Sequence, residues 1–242
     1  MSSKIKTIKT KPRRVPTLGR TTTGVGVLGG AFNPPHFAHL ILAKKALKIA
    51  RLKKIIFMPC GIPALKKTDL AKAKDRLAMI KILTKNNSKF EVSDYEIRKG
   101  KKGKKSYTLE TIRYLKRKHP GTKIYWILGE DSFREMIEGK WKYNGLKMLN
   151  EAQFIVADRK THPFGLKFLS KKFKEKSEKF LRKVIKLNIN IPVSATQIRE
   201  EIRKGSDQSP TPGRTAGRRK KRNKFLPLEI FNYIKKNGMY FL

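Results

Sequence analysis

At 242 residues the chain can bury one substantial core, and a hydrophobic content of 38% with 9% aromatics excludes wholesale disorder. Lysine and arginine number 59 against 18 aspartate and glutamate, a formal net charge of +41, so the chain concentrates anions such as nucleotides, pyrophosphate, nucleic acids and acidic lipids. No apolar run approaches the roughly 18–20 residues of a membrane-spanning helix, and the single cysteine, Cys60, excludes an intrachain disulfide.

A lone cysteine fits a reducing compartment, so the expected location is the cytoplasm, with Cys60 read as a small apolar residue. Lysines outnumber arginines and are scattered through every helix, which reads as solvated lysine faces. Nucleic-acid contact is therefore expected only as a nonspecific consequence of charge, and the membrane is not an expected partner.

Residues 1–23 are basic, rich in Ser and Thr and free of acids, with Pro12 and Pro16 breaking any helix. They read as an extension, disordered or targeting, ahead of one domain over 24–242. From Val25 the chain alternates. Val25–Leu28 is a short apolar strand that runs into Gly29-Gly30-Ala31-Phe32-Asn33-Pro34-Pro35, and a helix follows from about Phe37 to Ala50. Lys54–Pro59 is a second strand, Asp69–Leu83 an amphipathic helix, and Phe90–Val92 a third strand. Arg98–Lys105 reads as a solvated loop, and Ser106 or Thr108 as the cap of the next helix. Strands at Lys123–Leu128, Gln153–Ala157 and Val184–Leu187 complete the set, with a lysine-rich helix over 166–183. Ser206–Asn223, with Pro210, Pro212 and the run Arg218–Arg222, reads as a basic low-complexity loop. Strands alternating with helices predict a doubly wound parallel sheet covered on both faces, a Rossmann-like α/β fold.

Two segments carry chemistry. The Gly29-Gly30 turn leads into His36-Phe37-Ala38-His39, two imidazoles three apart at a helix start and so on one face. Histidines beside such a turn can donate to the oxygens of a triphosphate and stabilise departing pyrophosphate. A zinc site needs a third protein ligand, and only His119 and His162 remain, with no second cysteine. Near the other end, Ser194 caps a helix that presents Thr196, with Arg199 one turn on, which together make an anion clamp.

Gly29-Gly30-Ala31-Phe32-Asn33-Pro34-Pro35-His36-Phe37-Ala38-His39 resembles the GG-[T/S]-F-[D/N]-P-x-H-x-G-H signature of the HxGH nucleotidyltransferases, and Val193-Ser194-Ala195-Thr196-Gln197-Ile198-Arg199 is similar to their I-S-[A/S]-T-x-I-R. Three further segments resemble the nicotinate-nucleotide adenylyltransferases: Ser106-Tyr107-Thr108-Leu109-Glu110-Thr111-Ile112, the Ile127–Phe133 loop followed by Trp141, and the closing Leu226-Pro227…Tyr233-Ile234 helix ending at Tyr240. The match runs from about Val25 to Tyr240.

That resemblance implies adenylyl transfer from ATP to nicotinate mononucleotide, in NAD biosynthesis. It implies that His36, His39, Lys66 and Arg199 do the chemistry. Gly29, Gly30, Phe32, Asp131, Ser194 and Thr196 would hold ATP with them, Asp131 through a ribose hydroxyl. Asn33, Lys66, Thr108, Trp141 and Arg159 would hold the mononucleotide, with Trp141 stacked on the pyridine ring and Thr108 at its carboxylate. Mg²⁺ is expected to arrive with ATP, because the motifs hold no acidic cluster to cage it. A different nucleotidyltransferase of the superfamily, such as a pantetheine-phosphate adenylyltransferase, and a nucleic-acid-binding protein that has kept the fold are the alternatives. Monomer and homo-oligomer both stay open.

Overall fold

The computed structural model of the chain describes residues 24–64, 70–143, 145–158, 180, 182–189, 193–206 and 225–241. In chain order the elements are β1 (Val25–Gly30), α1 (Phe37–Ile49), β2 (Lys54–Pro59), β3 (Ile62–Pro63), α2 (Ala73–Thr84), β4 (Phe90–Val92), α3 (Tyr95–Lys101) and β5 (Lys105–Ser106). There follow α4 (Thr108–Lys118), β6 (Ile124–Gly129), α5 (Glu130–Ile137), α6 (Gly145–Glu151), β7 (Gln153–Asp158), β8 (Val184–Asn188), α7 (Ala195–Ser206) and α8 (Leu228–Lys236).

Six strands form one sheet in the order β4-β2-β1-β6-β7-β8, and every pairing is parallel. The central strands are apolar along their whole length because both faces are covered. The period of two sorts their side chains: Val25, Val27, Ile56, Met58, Trp126, Leu128, Phe154 and Val156 join one core, while Leu28, Ile55, Phe57, Tyr125, Ile127, Ile155 and Ala157 join the other. The first core is closed by α4, α5 and α6 through Leu109, Ile112, Phe133, Met136 and Leu149. The second is closed by α1, α2, α7 and α8 through Ala43, Ala46, Met79, Ile80, Ile198, Ile230 and Ile234. This is the doubly wound sheet the sequence predicts.

The 98–105 stretch departs from its reading as a loop. Its first half finishes α3, and Lys105 belongs to β5, which pairs in parallel with β3 as a second, two-stranded sheet. The glycines that look like linker residues are there for contact. A side chain on Gly61 would place its Cβ 2.2 Å from the Glu96 carbonyl oxygen, and one on Gly100 would meet the Gly61 backbone at 3.0 Å. The chain after β2 thus crosses α3 backbone to backbone, which only glycine permits. Two smaller corrections follow: α2 starts at Ala73, and α4 is capped by neither Ser106 nor Thr108, its N-cap being Tyr107 with no side-chain bond to the helix end. The 1–23 extension, the 166–183 helix up to Lys179 and nearly all of the 206–223 loop lie outside the described residues.

Candidate active site

β1 and β6 are neighbours at the centre of the sheet, and the helices that follow them leave to opposite faces: α1 packs into one core and α5 into the other. That divergence opens a crevice beyond the carboxyl ends of the two strands. A cavity of about 550 Å³ fills it, walled by Gly29 to Asn33, His36 and His39 on one side, Ser106 to Thr108 and Trp141 to Tyr143 on another, and Ser194 to Thr196 with Arg199 on a third.

The phosphate-like side is built on the turn after β1. Phe32 takes the left-handed backbone region (φ 51°), a conformation that costs a non-glycine residue roughly 1–2 kcal/mol, and is buried against Phe57 and His39. His36 is the extended N-cap of α1 and nearly fully buried, and its ring lies 3.9 Å from that of His39. The His36 N–H donates to Nδ1 of His39 at 3.1 Å. In a neutral imidazole the proton then sits on Nε2, which makes that atom a hydrogen-bond donor. The Phe37 N–H donates to the Phe225 carbonyl, so the helix end gives part of its donor capacity to the fold. Arg199 donates to the Asn33 carbonyl at 2.7 Å and lies 3.3 Å from Thr196 Oγ1. Ser194 and Gln197 form a reciprocal cap, Gln197 N–H to Ser194 Oγ and Ser194 N–H to Gln197 Oε1.

The opposite wall is aromatic and cationic. Lys142 Nζ stands 4.2 Å over the Tyr107 ring, Tyr143 meets the same ring edge-on, and the Trp141 Nε1–H is buried without a hydrogen-bond partner among the described residues. Thr108 opens α4 half-buried beside them. Glu96 lines the cavity beside this wall as a buried carboxyl that accepts the Thr111 hydroxyl at 2.6 Å. Burial pushes its pKa up, against the opposing pull of hydrogen bonds from Thr111 and Ser106 and of the Lys99 charge. Cys60 also lines the cavity, and burial pushes its thiol up despite the neighbouring Arg76 guanidinium. A thiol so shifted stays protonated and is no nucleophile at neutral pH.

A cytidylyltransferase-like family model matches residues 27–201. The chain is 37% identical to a protein named a probable nicotinate-nucleotide adenylyltransferase from Clostridium tetani, over 88% of this chain and 97% of that one. It is 33% identical to one so named from Dictyoglomus thermophilum, over 89% and 98%. The chain belongs to the nicotinate-nucleotide adenylyltransferase family. Among solved structures, the nicotinic acid mononucleotide adenylyltransferase of Plasmodium falciparum complexed with NaAD superposes with a TM-score of 0.64 at 21% identity, covering 90% of this chain and 97% of that one. At that identity the likeness speaks for the fold.

Of the residues that the resemblance to this family singles out, the fold gathers Gly29, Gly30, Phe32, Asn33, His36, His39, Thr108, Trp141, Ser194, Thr196 and Arg199 around one cavity. Asp131 is exposed on the first turn of α5, and the cavity wall there is made by Gly129 and Ser132 instead. Lys66 and Arg159 lie outside the described residues. The Asn33 side-chain oxygen is held by the Ala71 N–H at 3.0 Å and the Tyr240 hydroxyl at 2.7 Å. This ties the signature turn to the last residues of the chain.

Three residues escaped the sequence reading: Lys142, Glu96 and Arg76. Arg76 is 1% exposed, and its guanidinium donates to the carbonyls of Ala71, Ala31 and Cys60 at 3.0, 2.8 and 2.8 Å. No local signal marks Glu96 or Arg76, since acid and base on amphipathic helices ordinarily face water. For Lys142 the adjacent Trp141 and Tyr143 were the available hint.

Proposed function

We propose that this family member transfers the adenylyl group of ATP to nicotinate mononucleotide, giving nicotinate adenine dinucleotide and pyrophosphate. The reading rests on one observation above the rest: a single cavity joins the two imidazoles and the Arg199 clamp to the wall of Thr108, Trp141 and Lys142. The mononucleotide 5′-phosphate attacks the α-phosphorus in line. One P–O bond forms as the bond to the bridging oxygen breaks, and pyrophosphate leaves with the electron pair. The nucleophile is already an anion, so the step needs no general base, and rate comes from alignment and charge neutralisation.

In this reading His36, His39, Ser194, Thr196 and Arg199 hold the triphosphate, with Lys66 facing the transferring phosphate. Gly29, Gly30 and Phe32 let the backbone approach it. Thr108, Trp141, Asn33 and Arg159 hold the acceptor. Among the described residues no group of three or more His, Cys, Asp or Glu could hold a metal. We assign Mg²⁺ to the substrate, entering with the triphosphate it screens. No described helix is long and apolar enough to cross a membrane. The lone cysteine fits a reducing compartment, and on that ground we place the reaction in the cytoplasm.

The test is pyrophosphate release with ATP or CTP against a panel of nicotinate mononucleotide, nicotinamide mononucleotide and pantetheine 4′-phosphate. Turnover with ATP and nicotinate mononucleotide is expected to dominate. Release that follows another donor or acceptor would overturn the assignment.

A further inference from the structure

Glu96 is a buried carboxyl at the edge of the same cavity as Tyr107 and Thr108, and it interacts with both hydroxyls that flank them. Thr111, three residues past Thr108, donates at 2.6 Å, and Ser106, two residues before it, is the second hydroxyl partner. Ser106 Oγ in turn accepts the Gly61 N–H at 3.0 Å. One carboxylate thus joins the chain before α4, the second turn of α4 and the loop after β2, where the Gly61–Gly100 crossing leaves no slack. The nearby Lys99 pairs with Glu110 at 2.7 Å and reaches Glu96 through its charge, while the hydrogen bonds to Glu96 come from neutral hydroxyls. A buried carboxyl in such a setting is a poor way to add stability, since an apolar residue of similar size packs there at lower desolvation cost.

We infer that Glu96 is a positioning residue for the acceptor, setting the Tyr107–Thr108 wall through Ser106 and Thr111. A carboxylate only accepts hydrogen bonds, so it takes the proton of each hydroxyl and orients both. With those two protons committed, the Thr108 hydroxyl and the first N–H groups of α4 are the donors left for an anionic acceptor on this wall. Glutamine in the same place turns an NH₂ toward one hydroxyl, and the wall loses its register.

The inference rests on the proposed reaction, in which this wall meets the mononucleotide. Its test is initial-rate kinetics on Glu96→Gln, Ser106→Ala and the double variant, with each substrate varied in turn and unfolding midpoints recorded alongside. KM for the acceptor should rise on the order of tenfold in Glu96→Gln, the scale of one lost buried hydrogen bond, while KM for ATP moves less than about twofold. Ser106→Ala should shift the same parameter, and the double variant should be no worse than the more impaired single one, because both break one link. If Glu96→Gln fails to fold, Ser106→Ala carries the test. Equal rises in both KM values, an unmoved acceptor KM, or additive losses would overturn the role. Wild-type transfer to a different mononucleotide would sink the nicotinate reading alone, and the same KM split measured with that acceptor would still decide the role of Glu96. A wild type that transfers to none would end both.

Discussion

Arg76→Lys tests how the site is held together. The guanidinium spans three chain segments: the signature turn at Ala31, the end of β2 at Cys60 and the approach to α2 at Ala71. An ammonium keeps the charge, yet it is a point donor on a narrower reach and can satisfy only a subset of carbonyls that the planar fork reaches together. Losing two of its short carbonyl bonds costs about 1.5–3 kcal/mol each for a charged donor, so a loss of ~3 kcal/mol is expected after water fills part of the gap. For a domain of this size 1 kcal/mol lowers the unfolding midpoint by roughly 2–4 °C, which places the expected fall at about 6–12 °C by circular dichroism. Because Ala31 and Cys60 both line the cavity, kcat/KM should fall for ATP and acceptor together, which separates this variant from Glu96→Gln. A midpoint within about 2 °C of wild type, with unchanged kcat/KM, would refute the view that Arg76 clamps the site.

Three further predictions follow from the cavity. His39→Ala should lower kcat by roughly 10²–10³, the scale for one preorganised donor, in a folded protein; near wild-type kcat would remove His39 from the chemistry. The donor-lined wall at Thr108 should favour nicotinate over nicotinamide mononucleotide by on the order of a hundredfold in kcat/KM, since an amide NH₂ meets donors with a donor at about 1–3 kcal/mol per mismatch. That ratio should shrink in Thr108→Val, and equal kcat/KM for the two acceptors in the wild type would count against the wall. Tyr240→Phe removes the 2.7 Å bond to Asn33 and should cost about 1 kcal/mol, with a several-fold fall in kcat/KM for the acceptor that Asn33 holds. An unmoved midpoint and rate would show that the Tyr240 hydroxyl does not hold Asn33 in place.

Much of this protein is legible in its sequence because the signals are local. Apolar runs of strand length, glycine turns and helix caps depend on neighbours within a few residues, and they mark the six strands of the main sheet and the segments 29–39 and 194–199. What the sequence leaves open is which distant groups meet. Only the order β2-β1-β6-β7 puts the turn after β1 beside the helix that carries Arg199, 166 positions from the Asn33 carbonyl it binds. The α3 helix hides in a run of lysines and glycines because a close backbone crossing, absent from any local window, is what requires Gly61 and Gly100. Arg76 and Glu96 look like surface charges until the folded chain surrounds them with carbonyls and hydroxyls. Burial of a charge is a property of everything packed around it, and that is decided by tertiary contacts rather than by the residue or its neighbours in sequence.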